Sequence, residues 1–120
     1  MEIVAHEYSG TRIAEVLSEE LLIKEKEDFL DLLGNLYYEG YDKVVVHRTC
    51  ITDKFFELET GIAGEVLQKF SNYRVRLAIV GNFADLTRKS ILDFIFESNK
   101  SGHINFVGTI EEAMEKLSKK

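Results

Sequence analysis

Lys43-Val44-Val45-Val46-His47 carries a run of β-branched residues between two polar ends. A continuous apolar run of this kind is typical of a strand that is covered on both faces, because a half-exposed strand would alternate with polar side chains. A second apolar run, Arg76-Leu77-Ala78-Ile79-Val80-Gly81, lies further along the chain. Two such strands predict a mostly parallel sheet with helices packed against it.

The segments on either side of these strands predict the remaining elements. Apolar residues recur at helical spacing over residues 25–38, 60–72 and 87–99. Thr109-Ile110-Glu111-Glu112 is a capping box, which predicts the start of a fourth helix. Ser9-Gly10 separates two short strand-like runs and is a hairpin signal, and residues 104–107 predict the last strand.

The predicted order of elements is β-β-α-β-α-β-α-β-α, which belongs to the α/β class. Strands that alternate with helices form right-handed crossovers and therefore parallel pairs, whereas the opening hairpin makes the sheet mixed. We expect a single, mostly parallel sheet of about five strands with four helices. Because the chain has no proline and no Ser/Gly-rich linker, we expect residues 1–120 to form a single domain.

Composition and charge exclude several classes of protein. The chain has 120 residues with 15 Lys and Arg against 21 Asp and Glu, a net charge of −6, whereas a protein that binds nucleic acid through phosphates is normally basic. It has no apolar run of about 18 residues and no signal-peptide pattern. The single Cys50 suits a reducing compartment. We therefore expect a cytoplasmic protein that binds neither nucleic acid nor a membrane.

Histidine and cysteine spacing gives no sign of a bound metal. His6, His47 and His103 are far apart in the sequence, and Cys50 has no second cysteine to pair with. We expect neither a metal nor any other cofactor.

One candidate ligand site lies where the buried strands end. Ligands of open parallel sheets bind beyond the carboxyl ends of the strands. His47 and Arg48 end the central strand and Asn82 follows the next one, so all three are expected at this edge. The imidazole could serve as an acid or a base. Cys50 is near enough to His47 in sequence to act as a nucleophile, although a lone cysteine is more often a buried apolar residue.

A second candidate surface begins the helix after the central strand. Thr60 in Glu59-Thr60-Gly61-Ile62 suits an N-cap, and Gly61 and Gly64 would leave backbone amides open to an anion or a partner chain. A capping threonine with glycines that allow close packing explains the same residues without a function. The stretch lacks the Lys-Ser/Thr of a phosphate-binding P-loop.

The connection between the central strand and this helix, residues 50–58, contains Phe55 and Phe56. Two adjacent phenylalanines in a long connection either cover the core or form an exposed contact for a partner. Both alternatives are left open by the sequence.

The element order, together with Glu59-Thr60-Gly61-Ile62 after the central strand, resembles the STAS domain of sulfate transporters and anti-sigma-factor antagonists. In that family an Asp-Ser-Ser-Gly-Leu-Gly-like stretch at this place carries a regulatory phosphorylation and meets a partner kinase. The resemblance implies a STAS-like fold with Thr60 as the phosphoacceptor and Glu59 beside it. The chain departs from the family in three ways: it has Thr in place of Ser, a charged Glu59, and the additional residues 50–58.

A second resemblance covers nearly the full chain. Residues 60–80, with Asp93-Phe94-Ile95-Phe96-Glu97-Ser98-Asn99, are similar to a bacterial domain family of unknown function. This resemblance implies no activity.

Our leading hypothesis is a small cytosolic protein-interaction or regulatory module rather than an enzyme. Its partner would be a protein such as a kinase-like regulator, and phosphorylation of Thr60 would switch docking. The docking surface would comprise Glu59, Thr60, Gly61, Gly64, Phe55 and Phe56.

Two other hypotheses stay open. The first is a small-ligand-binding protein or enzyme that uses His47, Arg48 and Asn82, which requires a concave pocket with converging polar groups. The second is a homodimer that joins through an edge strand or through the two phenylalanines.

Overall fold

The computed structural model describes residues 1–119 and has the predicted α/β architecture. A mixed sheet of five strands has the spatial order β1-β2-β3-β4-β5, in which β1 and β2 are antiparallel and all other neighbours are parallel. The elements are β1 Glu2–Tyr8, β2 Thr11–Leu17, α1 Lys26–Tyr38, β3 Lys43–His47, α2 Ile62–Asn72, β4 Arg76–Val80, α3 Lys89–Ser101, β5 Ile104–Val107 and α4 Ile110–Ser118.

Helices cover both faces of this sheet, which explains the continuous apolar runs of β3 and β4. On one face, which we call the three-helix face, Val44, Val46 and Leu77 pack in a core cluster with side chains of α1, α2 and α3. On the opposite face, the α4 face, Val45 and Ala78 pack against side chains of α4. Alternate residues of each strand therefore belong to different cores.

The predicted hairpin joins β1 to β2. Ser9 and Gly10 have φ angles of 50° and 76°, the left-handed conformations that a two-residue hairpin turn requires. No helix in residues 1–119 is both long and apolar enough to span a membrane.

The connection from β3 to α2 is built from 3-10 helices at Arg48–Cys50, Asp53–Phe56 and Leu58–Thr60. Phe55 is fully buried and Phe56 is 5% exposed. The ring of Phe55 lies 5.5 Å from that of Phe29 in α1 and 6.4 Å from that of Phe106 in β5. Phe55 and Phe56 therefore cover the core and offer no apolar surface to a partner or a second copy.

The second helix begins later than predicted, at Ile62, and its N-cap is Gly61 rather than Thr60. Gly61 has a φ of 79°, which separates the preceding 3-10 helix from α2. A β-carbon makes this conformation unfavourable, so the chain needs glycine at this position.

Candidate functional site

Thr60 lies on the surface at the end of the last 3-10 helix before α2. Its Oγ1 is 2.8 Å from the carbonyl oxygen of Glu57 and 2.9 Å from that of Lys54, and these two acceptors share the single hydroxyl proton. The same oxygen accepts a longer hydrogen bond of 3.4 Å from the amide of Ile62. The hydroxyl thus ties the 3-10 connection to the first turn of α2.

Glu59, Thr60, Gly61 and Gly64 are all exposed and form what we call the α2 start surface. A hydrogen bond from its own main chain and another from Arg88, at 3.0 Å, hold the pKa of Glu59 below its usual value. A β-carbon added to Gly61 or Gly64 would meet no atom within 4 Å. Close packing therefore does not explain either glycine, and only Gly61 has a backbone angle that requires one.

His47 points to the α4 face, where its Nε2 lies 2.7 Å from Oε2 of Glu15. The other carboxylate oxygen of Glu15 lies 2.8 Å from Nε2 of His6. We call these three residues the histidine–glutamate cluster. The side chain of Glu15 is 12% exposed, whereas those of His6 and His47 are 34% and 28% exposed, so the carboxylate lies beneath two accessible imidazoles.

The protonation of this cluster follows from its hydrogen bonds. Burial raises the pKa of Glu15, but hydrogen bonds and charge interactions with His47 and His6 outweigh it, so the net pKa is below the usual value. An ionised carboxylate only accepts hydrogen bonds, so both Nε2 atoms must carry their protons. In the neutral rings, Nδ1 is then the nitrogen that can accept a hydrogen bond.

Arg48 and Asn82 meet each other away from this cluster. The guanidinium of Arg48 makes a two-point ion pair with Asp85, at 2.7 and 3.0 Å, and donates to the carbonyl of Asn82. Its carbon Cζ lies 4.6 Å from the ring centre of Phe56 and 5.3 Å from that of Phe83. Arg48 also lowers the pKa of Asp85, mainly through this hydrogen bonding.

The three residues of the sequence-derived ligand site therefore divide between two places. His47 is the last residue of β3 and Arg48 begins the 3-10 helix that follows. His47 contacts Glu15 on the α4 face, whereas Arg48 packs on Phe56, which belongs to the core of the three-helix face. The side chain of Asn82 accepts a hydrogen bond from the amide of Ala84 at 2.9 Å and so closes its own turn.

Other chemistry considered from the sequence finds no support in the described residues. Cys50 is buried, and its thiol contacts the carbonyl of Ser18 at 3.5 Å, whereas the ring of His47 is bound to Glu15. Within residues 1–119, no group of three or more His, Cys, Asp or Glu side chains is arranged to hold a metal ion.

Sequence reasoning missed Glu15 and His6 as partners of His47. The sequence does indicate the contact between His6 and Glu15. If the hairpin turn lies at Ser9-Gly10 and side chains alternate along both strands, His6 and Glu15 are diagonal neighbours on the same face of the sheet. The pairing of Glu15 with His47 depends on the register of β2 against β3, in which Glu15 lies beside Val45.

Comparisons with known proteins give a family but no activity. No curated protein matches the chain. No solved structure matches it either. One family model, described as Domain of unknown function (DUF4180), matches residues 8–117. Because this match covers nearly the whole chain, the protein belongs to the DUF4180 family.

Proposed function

We propose that the protein is a small regulatory module that docks a protein partner on the α2 start surface. The observation that carries this proposal is Gly64, an exposed helical glycine with open space around it that lies four residues after the exposed Thr60, whereas the similar Gly34 of α1 has no such neighbour. Glycine inside a helix destabilises it by about 0.5–1 kcal/mol relative to alanine. Neither packing nor backbone conformation offsets that cost at Gly64, whereas a partner whose main chain approaches α2 closely would.

Phosphorylation of Thr60 would change this surface through a specific hydrogen bond. The ester has no hydroxyl proton, so donation to the carbonyls of Lys54 and Glu57 is lost. The phosphate adds a charge of about −1.5 to −2, which the carbonyl oxygens and the nearby carboxylates repel. The first amides of α2, which have no partners within the helix, attract it. The modified side chain would therefore turn from the connection towards α2.

Two basic residues contact the α2 start surface, Arg88 through its side chain and Lys54 through its main chain. Arg88 is paired with Glu59 in an exposed contact, a kind of ion pair that contributes little to stability. The main chain of Lys54 is already bonded to the Thr60 hydroxyl. A phosphate at Thr60 would compete with Glu59 for Arg88, so the charge pattern offered to the partner would differ between the two states.

The docking surface is tested with a matched pair of glycine variants. The partner is first identified by crosslinking through a photoreactive residue at position 60 and then purified. Gly64→Ala and Gly34→Ala both replace an exposed helical glycine with open surroundings, so each should stabilise the fold by about 0.5–1 kcal/mol. We expect only Gly64→Ala to weaken partner binding in calorimetry. Equal affinity of both variants would contradict docking at α2.

The phosphorylation step has its own test. Mass spectrometry of the protein purified from its native host should find phosphate on Thr60 and, in a Thr60→Ser variant, on the serine. Thr60→Val should abolish the modification and leave only one partner-binding state. If position 60 is never modified and Thr60→Val binds the partner as the wild type does, the switch is wrong while docking can still hold.

A second candidate function is favoured by the histidine–glutamate cluster. A carboxylate that accepts the N–H of an imidazole fixes the tautomer and the orientation of the ring, so that the other nitrogen is free to accept a hydrogen bond. Here one carboxylate does so for His6 and His47 together. The site could bind a small ligand and exchange protons with it at the Nδ1 atoms.

Thermal-shift screening against metabolites tests this second function. A ligand of the cluster should no longer bind to His47→Ala or Glu15→Gln, and should still bind to His103→Ala, which lies elsewhere. Any ligand that binds His47→Ala as well as the wild type does not use the cluster.

A further inference from the structure

A polar cavity lies at the edge of the sheet opposite to the candidate sites described above. It has a volume of about 610 Å³ and lies between the β1–β2 turn, the beginnings of β3 and β4, the residues before β5 and the end of α4. We call it the amino-edge cavity. Hydroxyl-bearing residues from three of these segments line it, namely Ser9, Thr11, Ser101 and Ser118.

The charge of this cavity is opposite to that of the whole molecule. The chain has 21 acidic and 15 basic residues, yet Lys43, Arg76 and Lys119 line the cavity, and no acidic residue within residues 1–119 does. Convergent cations with hydroxyl groups are the donors that bind phosphate and carboxylate groups in proteins. The cavity is therefore complementary in charge to an anion.

Arg76 supplies a fixed positive charge in the wall of the cavity. Its guanidinium donates to the carbonyls of Gly102, Lys116, Leu117 and Lys119, at 2.6 to 3.3 Å. These carbonyls end α3 and α4, so Arg76 offsets the negative ends of two helices that would otherwise repel an anion.

The ammonium groups of Lys43 and Lys119 can leave their present partners with little loss of free energy. Lys43 contacts Asp42 at 3.2 Å, and Lys119 contacts Glu115 at 3.5 Å. Both carboxylates are largely exposed, and exposed ion pairs contribute at most about 1 kcal/mol. An anion that engages both ammonium groups would compete effectively with these separate contacts.

His103 also lines this cavity, and its side chain is partly exposed. Its Nδ1 atom is buried and has no hydrogen-bond partner among residues 1–119, so this nitrogen does not face the cavity. In the tautomer that carries the proton on the other nitrogen, Nε2, the ring can donate a hydrogen bond to an anion.

We propose that the amino-edge cavity binds a phosphate group, either as inorganic phosphate or on a small phosphorylated molecule. Lys43, Lys119 and His103 would contact the phosphate. The hydroxyl groups of Ser9 and Thr11 would contact the rest of the ligand, because those of Ser101 and Ser118 already donate to main-chain carbonyls. Small-molecule sites commonly measure about 300–1,000 Å³, so a cavity of this size holds more than the phosphate alone. This site is separate from the α2 start surface and from the histidine–glutamate cluster.

The test is a titration of the full chain with inorganic phosphate and with glycerol 2-phosphate at constant ionic strength, followed by amide NMR and thermal shift. We expect saturable shifts at Gly10, Gly102 and His103 and a raised melting temperature. Tighter binding of the ester would identify a phosphorylated molecule as the ligand, and equal binding would identify phosphate itself.

Two variants and one control make the result decisive. Lys43→Ala should weaken binding by about tenfold. His103→Phe, which fills the space without a donor, should also weaken it, whereas Lys54→Ala at the opposite edge should bind as the wild type does. The proposal is overturned if binding does not saturate, or if Lys43→Ala and His103→Phe bind phosphate as well as Lys54→Ala does.

Discussion

Glu15 is the one buried acidic residue in the part of the chain that the structure describes. Its carboxylate stays charged because two imidazole N–H groups replace the water that burial removes. The arrangement is specific, since a shorter side chain or an amide could not accept both hydrogen bonds. Glu15 therefore links the edge strand β1 to the central strand β3 through side chains.

The lowered pKa of Glu15 predicts a particular dependence of stability on pH. A group with a lower pKa in the folded state stabilises the protein above its unfolded pKa, and this contribution disappears as pH falls through the folded pKa. We expect Glu15→Gln to lower the free energy of unfolding by about 1–3 kcal/mol at neutral pH. The difference in free energy of unfolding between Glu15→Gln and the wild type should become smaller below pH 4.5, the ordinary pKa of a glutamate. Urea unfolding at several pH values measures both quantities.

Glu97→Gln provides the control, because Glu97 is exposed on α3 and lies away from the first turn of that helix. It should follow the wild-type curve at every pH. A Glu15→Gln curve parallel to that of the wild type down to pH 3 would mean that the cluster does not hold Glu15 in its charged form.

Residue-level contacts divide into those that the sequence could predict and those that it could not. The diagonal contact between His6 and Glu15 could be predicted, because a two-residue turn fixes the register of the hairpin and side chains alternate between the two faces along both strands. Arg76 differs, because nothing in the sequence indicates its hydrogen-bond partners. In the structure Arg76 binds main-chain carbonyls at helix ends, and no sequence pattern marks those acceptors.

At the scale of elements, the connection from β3 to α2 shows where pattern reading is weakest. Its 3-10 helices are three or four residues long, too short for a hydrophobic period to appear. The sequence therefore left Phe55 and Phe56 open between a core role and a contact role. Their burial makes the connection a part of the core, and this rigid support holds Thr60 at the surface.

Two phenylalanine variants test this role of the connection. Phe55 is fully buried, whereas Phe96 on α3 is 67% exposed. We expect Phe55→Ala to lower the free energy of unfolding by about 3–5 kcal/mol, because it leaves a cavity among aromatic rings. Phe96→Ala should change it by no more than about 0.5 kcal/mol. Chemical denaturation of both variants gives the comparison, and similar values would mean that Phe55 does not pack as described.

At the scale of the whole molecule, the sequence predicted the architecture because each local pattern agreed with it. The continuous apolar runs of β3 and β4 are stable only if both faces of the sheet are buried. The amphipathic helices pack on both faces and bury them. Strand register and the side of the sheet on which α4 lies come from long-range packing, which local patterns do not contain. Those long-range features assemble the histidine–glutamate cluster and the amino-edge cavity.

The two faces of the sheet differ in the size of the apolar core that packs on them. Side chains of three helices and of the 3-10 connection pack on one face, whereas α4 packs on the other around a smaller cluster. Arg76 adds a polar anchor on the α4 face, because it binds the carbonyls at the end of α4 and also the residue that follows α3. Burial lowers the pKa of Arg76, and Asp42 partly offsets this effect.

Hydrogen exchange should reveal this anchor as the link between α4 and the rest of the fold. In the wild type, the most protected amides of α4 and of β3 should open together in global unfolding. Arg76→Met keeps the aliphatic stem but removes every donor, and we expect it to lower the free energy of unfolding by about 2–3 kcal/mol. The amides of α4 should then exchange through a local opening at lower free energy than those of β3. Arg12→Met, which removes an arginine that stacks on Tyr41, is the control and should leave α4 coupled to the sheet. If α4 and β3 still exchange together in Arg76→Met, apolar packing alone holds α4 in place and Arg76 does not couple the two faces.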